Sequence, residues 1–135
     1  MQAAAAMAAL ETGILGLLKG RSHFVYLGAG PNYGMATEGC LKLQEMSISY
    51  SQAFHPMEYR HGPVSLTDDK SLVVMLYSQA TAAEEAALVA ELQAKGAVVI
   101  GFNGSGDLRI DLGQDLVLSN DANALACLRC RCWVR

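Results

Sequence analysis

The chain has no run of lysine and arginine dense enough to follow a phosphate backbone. Nor does a basic stripe interleaved with aromatics appear before its last few residues. With a net charge of -3, that sets nucleic acid aside as a partner. No apolar run approaches the roughly 20 residues a membrane helix needs. The opening MQAAAAMAAL lacks a basic leader region and passes through Glu11 into a leucine-rich helical pattern rather than to a cleavage site. It reads as structure, with no membrane partner and a cytoplasmic location. Cysteine is sparse: Cys40 stands alone, and Cys127, Cys130 and Cys132 crowd the end as CLRCRC, without the second pair that completes a structural zinc site. No metal is expected. Internal repeats, linkers and low-complexity tracts are absent beyond the first ten residues.

What is present is apolar. Hydrophobic residues make up 52% of 135 and charged residues 17%, the balance of one well-buried domain. Met7, Leu10, Ile14, Leu17 and Leu18 recur at helical steps over residues 3–18, with Gly20 as a stop. His23 to Leu27 is a short strand between glycines, and Gly28, Gly30 and Gly34 turn the chain into a helix over Gly34 to Ser47. Ile48 to Phe54 alternates weakly as a second strand. SLVVMLY, Ser71 to Tyr77, has the continuous apolar character of a strand covered on both faces. Thr81 or Ser78 caps a helix that runs to Lys95, with Glu84 and Glu85 in its first turn. Ala97 to Phe102 is a further buried strand, and after a Gly/Asp-rich loop Leu116 to Leu118 forms the last. Alternating strands and helices predict an α/β fold, a three-layer αβα sandwich with a mostly parallel sheet of about five strands.

Three features between Gly28 and Pro63 bear on chemistry. GAGPNYG follows a strand like a dinucleotide fingerprint, but its spacing is one residue too long. The next strand ends in Ala53, Phe54 and His55, with no acid to hold a ribose. It reads either as a tight turn or as a place where backbone amides meet a polar ligand. On the following helix Glu38, Lys42 and Glu45 share one narrow arc, flanked by Met35 and Met46 on one side and Leu41 on the other. Thr37 and Gln44 lie away from it. That stripe is either a solvated ion-pair face or a proton-shuttling group beside a lysine. In HPMEYRHGP, Pro56 starts a helical turn that Gly62 and Pro63 stop. His55 and His61 stand about 120° apart on such a turn, unlike the one-face histidine pair of a metalloprotease, so His61 fits acid/base work better than metal binding.

LGAGPNYGMATEGCLKLQE followed by EYRHGP resembles the sugar isomerase (SIS) domain. More narrowly, it resembles the second SIS lobe of glutamine–fructose-6-phosphate aminotransferases and their deaminase/isomerase relatives, from about His23 to Asp121. The resemblance implies a flavodoxin- or Rossmann-like sheet and a sugar phosphate as substrate. It implies that Glu45 moves a proton between C1 and C2 through an enediol or enolamine, that His61 opens the sugar ring from a neighbouring subunit, and that Lys42 lies beside the reacting oxygens. Glu38 would set the lysine, Gly28 and Gly30 would touch substrate, and no cofactor would take part. The family's Ser/Thr-rich phosphate loop lies in a first lobe, and no serine or threonine lies between Gly28 and Gly34. The expected organisation is therefore residues 1–20 as a helix trailing from an upstream lobe, 21–125 as the SIS domain, and 126–135 as an aberrant or truncated tail. Such a chain would work as a homo-oligomer or with a first SIS lobe. The alternative is a non-catalytic sugar-phosphate-binding or dimerisation module.

Overall fold

The computed structural model describes residues 13–111. Five strands form one sheet: β1 (His23–Gly28), β2 (Ser51–Phe54), β3 (Ser71–Leu76), β4 (Val98–Phe102) and β5 (Leu108–Ile110). Their order is β2-β1-β3-β4-β5, and every neighbouring pair is parallel. Helical crossovers join the first four strands, namely α1 (Pro31–Ser47), α2 (Pro56–Arg60) with a 3-10 turn at Pro63–Leu66, and α3 (Ala82–Ala94), while residues 103–107 alone link β4 to β5.

Alternation along the strands divides the core in two. Val25, Leu27, Val73, Met75 and Val99 point one way, onto Tyr59, Val64, Leu88, Val89 and Leu92 of α2, the 3-10 turn and α3. Phe24, Leu72, Val74, Ile100 and Ile110 point the other way. Leu43 of α1 and Ile14, Leu17 and Leu18 from the helical residues 13–18 pack against them. The sheet is thus covered on both faces, as the apolar β3 sequence requires. Among the described residues no helix is long and apolar enough to cross a membrane.

Several boundaries differ from the sequence expectation. Helix α1 starts at Pro31, three residues early, because proline at its first position has the helical φ preset and lacks a donor that would go unused. Strand β2 begins at Ser51, not Ile48. Ile48 instead closes α1 in the left-handed region, at φ 52° and ψ 32°. Thr81 sits at the N-cap of α3 without capping it. Its hydroxyl donates to Glu85 Oε1 at 3.0 Å, and the Ser78 amide donates to Glu85 Oε2 at 2.8 Å. The fifth strand is Leu108–Ile110, inside the stretch that reads as a Gly/Asp-rich loop. Asp107 orders its approach by accepting the Val99 amide at 2.8 Å. The strand expected at Leu116 to Leu118 and the cysteine-rich end lie outside the described residues.

Candidate active site

Helix α1 leaves the carboxyl edge of β1 and returns the chain toward the amino edge, where β2 begins. Its first half is tightly held. A side chain at Gly28 would collide with the Asn32 carbonyl oxygen, so only glycine lets the helix start this close to its strand. Gly30, at φ 56°, makes the turn. The Asn32 amide donates to the carbonyls of Tyr77 at 3.0 Å and Leu76 at 3.4 Å, tying the helix start to the end of β3. Ala36 and Cys40 are buried, and a side chain at Gly39 would press on the Tyr26 ring at 2.9 Å.

The ionisable arc lies further along. Lys42 Nζ meets Glu45 Oε2 at 2.8 Å, an i,i+3 ion pair on an accessible face, with Glu38 half-buried one turn before. Leu41 and Met46, which flank the pair by helical spacing, are exposed, as are Ile48 and Tyr50 beyond the end of the helix. The helix therefore presents a carboxylate held against an ammonium group, set in an apolar surround.

The other expected site residues are elsewhere. His61 ends α2, donating its amide to the Glu58 carbonyl at 3.1 Å, and its side chain is exposed. Because α1 and α2 cover opposite faces of the sheet, one sheet thickness with its packed side chains separates His61 from Lys42 and Glu45 within a copy. Gly28 and Gly30 sit at the other end of α1. Gly30 precedes Glu45 by fifteen residues, a helical rise of about 22 Å. The structure thus brings Lys42 and Glu45 together, keeps Glu38 on their helix, and leaves His61 and the glycine turn apart from them.

Polar groups that the sequence reading assigned no role gather at the carboxyl edge. His55 Nε2 accepts the Gly30 amide at 3.4 Å, and its ring lies 5.8 Å from that of Tyr33. This uses one of the amides that a polar ligand at the turn would need. Tyr77 donates its hydroxyl to the Ser105 carbonyl at 3.0 Å, stitching β3 to the loop after β4. Glu85 is fully buried. Burial pushes its carboxyl above the ordinary range, opposed by the hydrogen bonds from Ser78 and Thr81. Its spacing from those two residues was the available signal, hidden because acids in a first helical turn are usually solvated. Among the described residues no group of three histidine, cysteine or acidic side chains could hold a metal ion.

A family model for the SIS domain matches residues 17–125. The chain is 32% identical over 109 residues to the glutamine–fructose-6-phosphate aminotransferase [isomerizing] of Chlorobaculum tepidum, covering 79% of this chain and 18% of that protein. Its fold is similar to glucosamine-6-phosphate deaminase from Thermotoga maritima, with a TM-score of 0.68 and 34% identity over 78% of this chain and 32% of that one. It is likewise similar to tagatose-6-phosphate ketose/aldose isomerase from Escherichia coli, with a TM-score of 0.68 and 30% identity over 83% and 34%. The chain spans less than a fifth of the length of the first and about a third of each of the others. Five parallel strands in this order and a family match over most of the sequence lead to one conclusion: the chain belongs to the SIS domain family.

Proposed function

We propose that the chain is one lobe of a two-lobe phosphosugar isomerase or deaminase, acting on a hexose or amino-sugar 6-phosphate. The observation that carries this reading is the Lys42–Glu45 pair at 2.8 Å on an accessible, apolar-rimmed helix face. Its relatives are named as an isomerizing aminotransferase, a deaminase and a ketose/aldose isomerase of sugar 6-phosphates. In such an interconversion a proton leaves one carbon and arrives at the next while a second proton passes between the groups those carbons bear, so for the carbon step one base that later acts as an acid is enough. Glu45 is that group. Its ionised carboxylate takes the proton from C1 or C2 as the carbonyl oxygen or imine nitrogen gains one, giving an enediol or enolamine. The neighbouring hydroxyl then gives up its proton as the same carboxyl returns the first proton to the adjacent carbon. Lys42 stabilises the negative charge that develops on the oxygens between them, and Glu38 helps to hold the lysine.

His61 opens the sugar ring in this scheme by moving a proton to or from the ring oxygen. The sheet between His61 and Glu45 supports a site shared between copies, the histidine coming from a neighbour. Gly28 and Gly30 contribute backbone at the opposite end of α1. The phosphate then falls to a first SIS lobe or a second copy of the chain.

The test is turnover of fructose 6-phosphate and glucosamine 6-phosphate by the purified chain, alone and mixed with a first SIS lobe. Turnover is expected in an assembly, and Glu45→Gln should lower kcat by on the order of 10²- to 10⁴-fold. No turnover with a first lobe present would overturn the catalytic reading. Sugar-phosphate binding by the wild type and Glu45→Gln alike, with no turnover by either, would favour a non-catalytic binding module.

A further inference from the structure

The half of α1 that carries the ion pair lacks the usual means of fixing a helix end. Its two buried residues, Ala36 and Cys40, both precede Leu41. Beyond them Met46 is 65% exposed and Ile48 95% exposed, and no basic side chain stands in the last turn to meet the helix dipole. The terminating residue is β-branched and left-handed, a conformation that β-branched side chains disfavour. Leu43 alone in this half packs against the sheet.

The remaining hold is polar, and it centres on Gln44. Its Nε2 donates to the Ser51 carbonyl oxygen at 2.8 Å, with Cys40 Sγ at 3.7 Å. Ser51 is the first residue of β2, 3% exposed and in register with Phe24 of β1. Its hydroxyl donates to the Cys40 carbonyl at 2.9 Å. That uses its one proton, so the Cys40 thiol 3.2 Å away is the donor in the second contact between them. The last turns of α1 are thus joined to the sheet edge by a small polar clamp. Gln44 adjoins Glu45 and stands two residues from Lys42, yet points away from them. Rolling the helix enough to break the Gln44–Ser51 bond turns both charged side chains with it.

We propose that Gln44 is a positioning residue for the Lys42–Glu45 pair: clamped on the Ser51 carbonyl, it sets the direction from which Glu45 and Lys42 approach the sugar. This rests on the isomerase reading of those two residues, while the clamp itself can be measured without turnover. Gln44→Met keeps length and volume but has no N–H to donate. Gln44→Lys keeps a donor of similar reach.

In the assembly of chain and first lobe, Gln44→Met should lower kcat by on the order of 10²-fold with KM little changed, since misplacing a reacting group costs about that much. Gln44→Lys should recover most of the loss. In parallel, residual dipolar couplings of the α1 backbone amides, measured by nuclear magnetic resonance, should give the same orientation of the helix end against the sheet in the wild type and in Gln44→Lys. In Gln44→Met that orientation should shift, the intrahelical Lys42–Glu45 pair turning with it. Unchanged kcat in Gln44→Met overturns the proposal. If the wild-type assembly does not turn over, the isomerase reading fails, and the resonance measurement decides alone: an unchanged orientation of the α1 end in Gln44→Met then overturns the positioning role. Should Gln44→Met fail to fold, Gln44→Glu, matched in shape and without a donor when ionised, replaces it with the same expected loss.

Discussion

The two faces of the sheet are finished to different degrees. Among the described residues, a cluster of twelve buried ones lies beneath α2, the 3-10 turn and α3, from Val25 and Leu27 through Tyr59 to Leu88, Val89 and Leu92. On the face that α1 covers, five of the described residues are buried and eight more are only partly so. The better-sealed face holds the fold together, and the other carries Glu38, Lys42 and Glu45. A helix that gives its outer arc to charged side chains in an apolar surround has less left for the core. On the reading proposed above, the layer that supplies most of the buried core and the layer that carries the proton-transfer pair are different ones.

That division can be broken most sharply by cutting equal side chains from each face. Leu88→Ala should cost about 3 kcal/mol in urea unfolding, because a fully buried leucine leaves a cavity that its neighbours only partly fill. Leu43→Ala, on the half-buried side of α1, should cost about 1 kcal/mol, since less apolar area returns to water. Equal losses would show that the two faces contribute alike. The smallest effect is a pH slope. Glu85 has its carboxyl raised in the folded chain by burial, so the folded state binds its proton more tightly than the unfolded state. Its contribution is complete below the ordinary carboxylate range and is lost as pH rises through the raised folded value. Glu85→Gln should flatten that limb of the unfolding midpoint against pH. Asp68, at the opposite edge, has the reverse sign. The hydrogen bond from Ser71 and then that from the Lys70 amide lower its carboxyl, so its contribution fades only as pH falls through that lowered value.

Much of the fold was legible because burial leaves a pattern. SLVVML and VVIGF could only be strands covered on both sides, and the alanine-rich stretch between them could only be a helix. What escaped was set by groups distant in sequence. Leu108–Ile110 is a strand because β4 offers it an edge, not because three residues flanked by glycine and aspartate announce one. The arc of Glu38, Lys42 and Glu45 followed from helical spacing, and Lys42 and Glu45 do meet. The separation of His61 from that arc depends on which face each crossover takes, which spacing does not encode. Gln44 was placed off the arc correctly, but its partner, the Ser51 backbone, is a contact that no side-chain pattern can signal.

Helix α1 is also a lever. Asn32 fixes it at one end to the carbonyls of β3, and Glu45 rides thirteen residues away, about 20 Å along the axis. Over such an arm a tilt of about 5° at the glycine turn swings the carboxylate by about 2 Å, enough to separate a proton donor from its acceptor. Whatever loads the carboxyl edge of the sheet is therefore felt, magnified, at the far end. The fastening at Ser51 is what keeps that arm from moving freely.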